Sequence, residues 1–408
     1  MNIALFSDSY LPTKSGVVTV VLQLREQLLK QGHRVILVCP ETTKEFETDD
    51  PDIYRVKSVP LGLGTDQFLS IPNLRALISY MRTKNIQIVH CHTEFGIGKA
   101  GLFVAKRLKV PAVCSLHTMW SDFYRYYLKG AKFISPKLID KTMKHAYKRF
   151  DALIGVSSKA RNYFKKPGML PYKSIVVIPN AIDKEKFQVS HLTAEEKHEL
   201  REKLGIKDDD IVFLFLGRIA EEKRVFELAE KCKTLVEKCP NAKVLFVGCG
   251  PAYEELYELS RKQVADKKFI FTGYIAWTEV YKYYESSDVF ITASLSEMHS
   301  MTILEAELSA LPIVARMDES YLDCVFPNKN GYLAKDDDEL LENMLEMARE
   351  SQKRKTYGQH SLEITKNFPI EKHVQKTLLM YDEVLKAYPS KIDEAAVFEK
   401  IKALDSKF

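Results

Sequence analysis

The sequence predicts an α/β protein of two doubly wound, Rossmann-like domains, each a parallel sheet with helices on both faces. Three observations predict it. Apolar runs of about five to seven residues alternate with helical patterns along the chain, as parallel strands buried on both faces require. The alternation falls into two series, divided by a polar, charged stretch after the turn-like Pro179-Asn180. The length, 408 residues, suits two or three domains.

In the first series the expected strands are 2–7, 34–39, 53–59, 87–92, 112–117, 152–156 and 174–179, with helices between them, for example 17–31 and 73–84. In the second they are 211–216, 243–248, 269–272, 289–293 and 313–315. The domains are expected at 1–183 and 184–370. A helical tail, about 371–408, follows and is broken at Pro389-Ser390.

Composition is that of a soluble globular protein, 46% hydrophobic and 28% charged. No apolar run approaches the roughly 18 residues of a spanning helix. Met1-Asn-Ile-Ala-Leu-Phe6 reads as a strand, so no secretory signal is expected. The seven cysteines are odd in number and lack metal-ligand spacing, which points to free thiols in a reducing cytoplasm.

The net charge of +5 hides an asymmetry. Residues 101–180 carry 16 Lys and Arg against three acidic residues, while the rest carries 44 against 52. Aromatics interleave with cations around Arg125, Lys129 and Lys132, and Lys137, Lys141, Lys144 and Lys148 recur at helical spacing. A basic amphipathic surface of this kind suits an anionic membrane. An ordinary solvated helix has the same pattern. Nucleic acid is a third reading, without a matching recognition motif.

The segment Ser294-Leu-Ser-Glu-Met-His-Ser-Met-Thr-Ile-Leu-Glu-Ala306 puts two carboxylates, Glu297 and Glu305, across an expected strand-to-helix junction. Such junctions bind phosphates, and carboxylates beside them suit sugar hydroxyls. Glutamates near helix starts are also commonly just solvated. In Phe215-Leu-Gly-Arg-Ile-Ala-Glu-Glu-Lys-Arg224, Arg218 and Lys223 can converge on a diphosphate, or stand as surface cations. Gly16 opens the first helix without a G-x-G-x-x-G pattern, so a nicotinamide site is not supported. His92 and His117 follow strands of the first series, where histidines serve as ligands or as hydrogen-bonded structural residues. No Asp-x-Asp pair sits at a strand end. The acidic runs 208–210 and 336–338 read as exposed turns, and no obligatory metal or cofactor is expected.

Taken in order, these residues resemble family 4 glycosyltransferases, the retaining GT-B type whose two domains face across an interdomain cleft. The matching residues are Gly16, His117-Thr118, Gly217-Arg218 with Glu222-Lys223, Phe271-Thr-Gly-Tyr274, and Glu297 with Glu305. Within that family, His92-Thr-Glu-Phe-Gly-Ile-Gly98 and His117-Thr-Met-Trp-Ser-Asp-Phe123 are most similar to bacterial diacylglycerol glucosyltransferases. The resemblance implies a UDP-hexose donor, glucose first, a diacylglycerol acceptor and an α-glycosyl lipid product. It implies an enzyme on the inner face of the plasma membrane, docked on anionic lipid, with no nucleic-acid partner.

The resemblance also implies roles. Arg218 and Lys223 would hold the diphosphate, Glu305 the ribose and Glu297 the sugar hydroxyls. Backbone at His299, Ser300, Met301 and Thr302 would meet sugar and phosphate, and that near Tyr274 and Ile275 the base. His117 would sit by the reacting carbon, and the helical tail, about 371–408, would pack back on the first domain. Ser300 and Ala181 stand where the family often has glycine, and the first loop has Ser15 before its single Gly16. A soluble or wall-polymer acceptor, and a silent binding protein on the same fold, are the alternatives.

Overall fold

The structure is a computed structural model that describes residues 1–13, 15–42, 49–60, 68–120, 124, 134–187 and 191–406. The chain forms two compact units, Met1–Ala181 with Ile370–Phe408, and Ile182–Pro369.

The first unit runs β1 (Asn2–Phe6), α1 (Gly16–Lys30), β2 (Arg34–Pro40), β3 (Ile53–Val56), β4 (Ser58–Pro60), β5 (Phe68–Ser70), α2 (Leu74–Thr83), β6 (Ile88–Cys91), α3 (Gly96–Leu108), β7 (Ala112–Leu116), α4 (Pro136–Tyr147), β8 (Ala152–Gly155), α5 (Ser158–Lys165) and β9 (Ile175–Val177). Seven strands form a parallel sheet in the order β3-β2-β1-β6-β7-β8-β9. Their apolar residues are covered on both faces, which is why the runs read as continuous rather than alternating. Ser15, Asn73, Ser135 and Ser157 cap α1, α2, α4 and α5 with side-chain oxygens.

The second unit runs α6 (Lys184–Phe187), α7 (Ala194–Lys203), β10 (Ile211–Leu216), α8 (Val225–Lys238), β11 (Ala242–Val247), α9 (Tyr253–Leu259), α10 (Arg261–Ala265), β12 (Phe269–Gly273), α11 (Val280–Glu285), β13 (Val289–Thr292), α12 (Met301–Leu308), β14 (Ile313–Arg316), β15 (Gly331–Ala334), α13 (Asp337–Arg349) and α14 (Ser351–Thr365). Its six-stranded parallel sheet has the order β12-β11-β10-β13-β14-β15. The tail helices, α15 (Ile370–Ala387) and α16 (Glu394–Asp405), belong to the first unit. Val374, Met380, Tyr381 and Val384 join its core with Leu24 and Leu28 of α1. Lys372 and Lys376 reach Asp405 at 2.9 and 2.6 Å, tying α15 to α16.

Four expectations need correction. The run 53–59 is not one strand, because β4 leaves the parallel sheet to pair antiparallel with β5. β15 is a strand that its short apolar content, after the turn-forming Asn330, did not reveal. The run 208–210 is not simply an exposed turn: Asp210 is buried, accepts from the Lys207 amide at 2.8 Å and lies 3.8 Å from the Lys243 ammonium. Nor is 336–338. Asp336 caps α13, and Asp337 binds Arg224 at 2.7 Å. Six cysteines are buried and free, and Cys249 is exposed.

Each sheet reverses its direction of winding once, between β1 and β6 in the first unit and between β10 and β13 in the second. Loops leaving the carboxyl ends of such neighbours frame a crevice, where doubly wound folds take ligands.

Candidate active site

In the second unit the loops after β10 and β13 meet. Gly217, at φ +149°, turns the chain out of β10 in a conformation glycine adopts without strain. Gly248 lets the loop after β11 lie against it: a Cβ there would stand 2.0 Å from the Gly217 carbonyl oxygen. The loop after β10 then carries Arg218 and ends in the short 3₁₀ turn Glu221–Lys223.

Across the switch point, Lys223 Nζ donates to Glu297 Oε1 at 2.5 Å, and Ser294 Oγ donates to the same oxygen at 3.0 Å. Ser296 Oγ donates to the Glu222 carbonyl at 2.9 Å, so main chain as well as charge joins the loops. The Arg218 guanidinium lies 3.6 Å from the Glu222 carboxylate. Tyr321 steadies the β13 loop by donating to the Ser294 carbonyl at 3.1 Å. The sequence-predicted Arg218, Lys223 and Glu297 thus lie together at the carboxyl end of one sheet. Ser294, Ser296 and Tyr321 are the partners that sequence reading missed.

The loop then enters α12. Ser300 is its N-cap, its hydroxyl accepting from the Ile303 amide at 3.4 Å and lying 3.0 Å from the Thr302 hydroxyl. Among the described residues the amides of Met301 and Thr302 make no hydrogen bond, and the first turn holds no acidic residue. Two donors and the positive end of the helix dipole are therefore available to an anion. The buried His299 ring packs on Phe368, with centroids 5.6 Å apart.

Glu305, five residues into α12, is buried rather than solvated. Trp277 Nε1 donates to its Oε1 at 2.9 Å and the Tyr284 hydroxyl to its Oε2 at 2.8 Å. Burial raises its pKa to about 7, and the two donors oppose that rise. Each oxygen keeps capacity for a further hydrogen bond beside its aromatic donor. Trp277 was not singled out from the sequence, although it is one of only two tryptophans and stands four residues after Gly273. Gly273, at φ +68°, sets the turn that presents Tyr274, about half exposed, and Ile275.

The first unit holds a separate cluster. His117 follows β7 and His92 follows β6, with His117 Nε2 and His92 Nδ1 3.1 Å apart. His90 is fully engaged, Nδ1 with the Tyr381 hydroxyl at 2.6 Å and Nε2 with the Ser115 hydroxyl at 2.8 Å. Burial, and the other imidazoles, hold His90 and His92 far below the ordinary histidine range and His117 at about 3. All three rings are uncharged at neutral pH. Gly16 is the first residue of α1, after its cap Ser15.

The switch point of the first unit is closed by its own carboxylate. Asp8, after β1, accepts from the amides of Ile97 and Gly98 in the first turn of α3 at 2.7 and 3.2 Å, and from Thr93 Oγ1 at 2.6 Å. The packing needs Gly98, since a Cβ there would stand 1.8 Å from the Thr93 carbonyl oxygen. Beside it the buried Glu94 bonds the Trp120 indole, and burial raises its pKa to about 8.

Lys137, Lys141 and Lys144 lie on α4, with Lys148 at its C-cap, and Lys137, Lys141 and Lys148 are exposed. Leu138 on α4 and Phe95 beside α3 are also exposed, at 55% and 40%. A cavity of about 630 Å³ lies between these helices, lined by Phe95, Leu102, Leu138 and Phe150 and edged by Lys99 and Lys141. Arg125, Lys129 and Lys132 lie outside the described residues. Among the described residues no helix is long and apolar enough to cross a membrane, and no three His, Cys, Asp or Glu side chains group to hold a metal ion.

With this geometry in view, the likeness to known proteins is specific. The family model Glycosyltransferase Family 4 matches residues 14–186, and Glycosyl transferases group 1 matches 196–363. The alpha-monoglucosyldiacylglycerol synthase of Acholeplasma laidlawii is 30% identical over 399 residues, covering 97% of this chain and 100% of the relative. A Streptococcus pneumoniae protein of the same name is 31% identical over 329 residues, 81% of this chain and 74% of its own. Among solved structures, sucrose-phosphate synthase from Thermosynechococcus elongatus superposes with a TM-score of 0.75 at 18% identity, covering 95% of this chain and all of its own. Anabaena HepE, solved with UDP-glucose, superposes at 0.74 and 16% identity, covering 94% of this chain and all of its own. The paired parallel sheets and the full-length likeness together establish that the chain belongs to glycosyltransferase family 4 and has the GT-B fold.

Proposed function

We propose that this glycosyltransferase moves glucose from UDP-glucose to the free hydroxyl of diacylglycerol at a membrane surface, giving an α-glucosyl diacylglycerol with retained anomeric configuration. The observation that carries the donor half is the meeting of Lys223 and Glu297 across a switch point, beside a helix start with two unused amides. The full-length likeness to a protein named for monoglucosyldiacylglycerol synthesis supports the acceptor half.

Arg218 and Lys223 take the diphosphate and stabilise it as it leaves. Met301 and Thr302 offer amides to the anion, with His299 and Ser300 beside them. Glu297 receives sugar hydroxyls and Glu305 the ribose, while backbone at Tyr274 and Ile275 reads the base. Residues 184–370 thus form the nucleotide-sugar domain. Residues 1–183 with 371–408 form the acceptor domain, to which Gly16 and His117 contribute. In the step itself the anomeric C–O bond to phosphate breaks and the bond to the acceptor oxygen forms on the same face. The acceptor proton passes to the departing phosphate oxygen. No resident metal or cofactor is assigned a part. Anionic lipid is met by Lys137, Lys141, Lys144 and Lys148, joined by Arg125, Lys129 and Lys132, with Leu138 and Phe95 entering the interface. On this reading the enzyme works in the cytoplasm, peripheral on the inner face of the plasma membrane.

The test is product formation from UDP-glucose and diacylglycerol in vesicles with and without phosphatidylglycerol, with the anomer read by NMR. α-Glucosyl lipid formed mainly with the anionic lipid is expected. A product made only on a soluble or polymer acceptor would discard the lipid assignment. Unchanged cellular function with Glu297→Ala would point to a binding protein.

A further inference from the structure

We propose that His92 sets the tautomer of His117, so that His117 presents a ring N–H at Nδ1 to the reactants and cannot serve as the base that takes the acceptor's proton. This rests on the assignment of His117 to the reaction made above.

The argument is geometric. The two rings are nearly parallel, at 21°, with centroids 5.4 Å apart. His92 Nδ1 and His117 Nε2 lie 3.1 Å apart, so one hydrogen bridges them. For neutral rings there are two arrangements. In one, His92 carries its hydrogen on Nδ1 and donates it. His117 Nε2 is then a lone pair, and its hydrogen sits on Nδ1. In the other, His117 donates from Nε2, its Nδ1 is a bare lone pair, and His92 carries its hydrogen on Nε2.

The surroundings of His92 choose between them. Its side chain is 2% exposed, and among the described residues its Nε2 has no hydrogen-bond partner. His90, 4.1 Å away between centroids, cannot supply one, because Tyr381 and Ser115 hold both its nitrogens. The second arrangement would bury an N–H without an acceptor, an orphan that native structures rarely keep. The first leaves only a bare ring nitrogen in that place.

The consequence reaches the chemistry. His117 is partly exposed, and Nδ1 is the nitrogen not committed to His92. Bearing a hydrogen, it donates to a sugar or phosphate oxygen and has no lone pair for the acceptor proton. That proton must go to the leaving phosphate. His92 is a positioning residue, acting through His117.

The experiment labels histidines with ¹⁵N in the full chain, reads ring shifts by long-range ¹H–¹⁵N correlation, and assigns His117 by its loss in His117→Ala. The expected spectrum shows His117 with a pyrrole-type Nδ1 and a pyridine-type Nε2. His92→Phe keeps a ring but no donor. It should mix the tautomers and lower kcat about tenfold, with donor KM changed less than about twofold, as loss of an imidazole's held tautomer predicts. His92→Asn, whose amide can donate from near the same place, should restore the tautomer and most of kcat. A wild-type His117 protonated on Nε2 overturns the proposal, as does a His92→Phe enzyme with tautomer and kcat unchanged. Should His92→Phe not fold, the wild-type spectrum decides alone. Full turnover by His117→Ala would instead remove His117 from the reaction, whatever its tautomer.

Discussion

The two switch points of this chain are built alike and finished differently. In the first unit, Asp8 fills the start of α3, accepting from two first-turn amides and from Thr93. In the second, the start of α12 has only a neutral Ser300 cap, with the amides of Met301 and Thr302 unused. A helix start attracts an anion in either case. The first unit supplies that anion from its own chain. The second brings two cations, Arg218 and Lys223, to the neighbouring loop, where the proposed donor diphosphate would bind. The same fold therefore yields a braced junction in one half and a receptive one in the other.

The largest expected effect breaks the receptive junction. Lys223→Ala removes a cation from the leaving diphosphate and strands Glu297, so kcat/KM should fall about 10²- to 10³-fold in a steady-state assay with saturating acceptor. A loss under tenfold would mean that Lys223 does not meet the phosphates.

Ser300→Asp would give α12 a carboxylate of its own, as Asp8 serves α3. Asp caps as well as Ser, so melting should change little. UDP affinity by calorimetry should weaken about tenfold through competition and repulsion. Unchanged affinity would show that no phosphate sits there.

The converse change, Asp8→Ala, uncaps α3. It should cost about 1–2 kcal/mol of stability by denaturant titration, leaving UDP affinity as it was. A weakened UDP affinity without loss of stability would reverse this contrast between the two junctions.

The smallest effect concerns pH. With its pKa raised to about 7, Glu305 becomes neutral as pH falls through that value and accepts ribose hydroxyls less well. Donor KM should rise a few-fold from pH 8 to pH 6, within the reach of a charge-assisted hydrogen bond. Trp277→Phe removes a donor that favours the carboxylate, so the midpoint should move up. The stability sign is opposite: the folded pKa exceeds the ordinary 4.5, so this group costs stability as pH rises from 4.5 to about 7. A wild-type donor KM that does not change from pH 8 to pH 6 would separate Glu305 from donor binding.

Much of this was readable from residues alone. The strands of both sheets announced themselves as apolar runs, because a parallel strand is buried on both faces. Glu297, Arg218 and Lys223 stood out because each lies in a short loop between an apolar run and a helical pattern. β15 escaped because its run, Gly331–Ala334, opens on a glycine just after the turn-forming Asn330. Asp8 escaped because its meaning lies in contacts with Thr93, Ile97 and Gly98, some 85 to 90 residues away. Trp277 and Tyr284 escaped for the same reason, since their partner Glu305 stands 28 and 21 residues on.

By itself, then, the sequence determined the alternation of strand and helix, the two-sheet α/β class and the cations and carboxylates at loop positions, because these depend on local periodicity and residue type. The tertiary structure alone decided which helix start is sealed and which is open, that Glu305 is buried between two aromatic donors, and that His92 faces His117. Those are matters of desolvation and of distances near 3 Å between groups far apart in the chain. Local pattern carries no information about which buried group meets which, and in a low-dielectric interior that meeting sets protonation and hydrogen-bond direction.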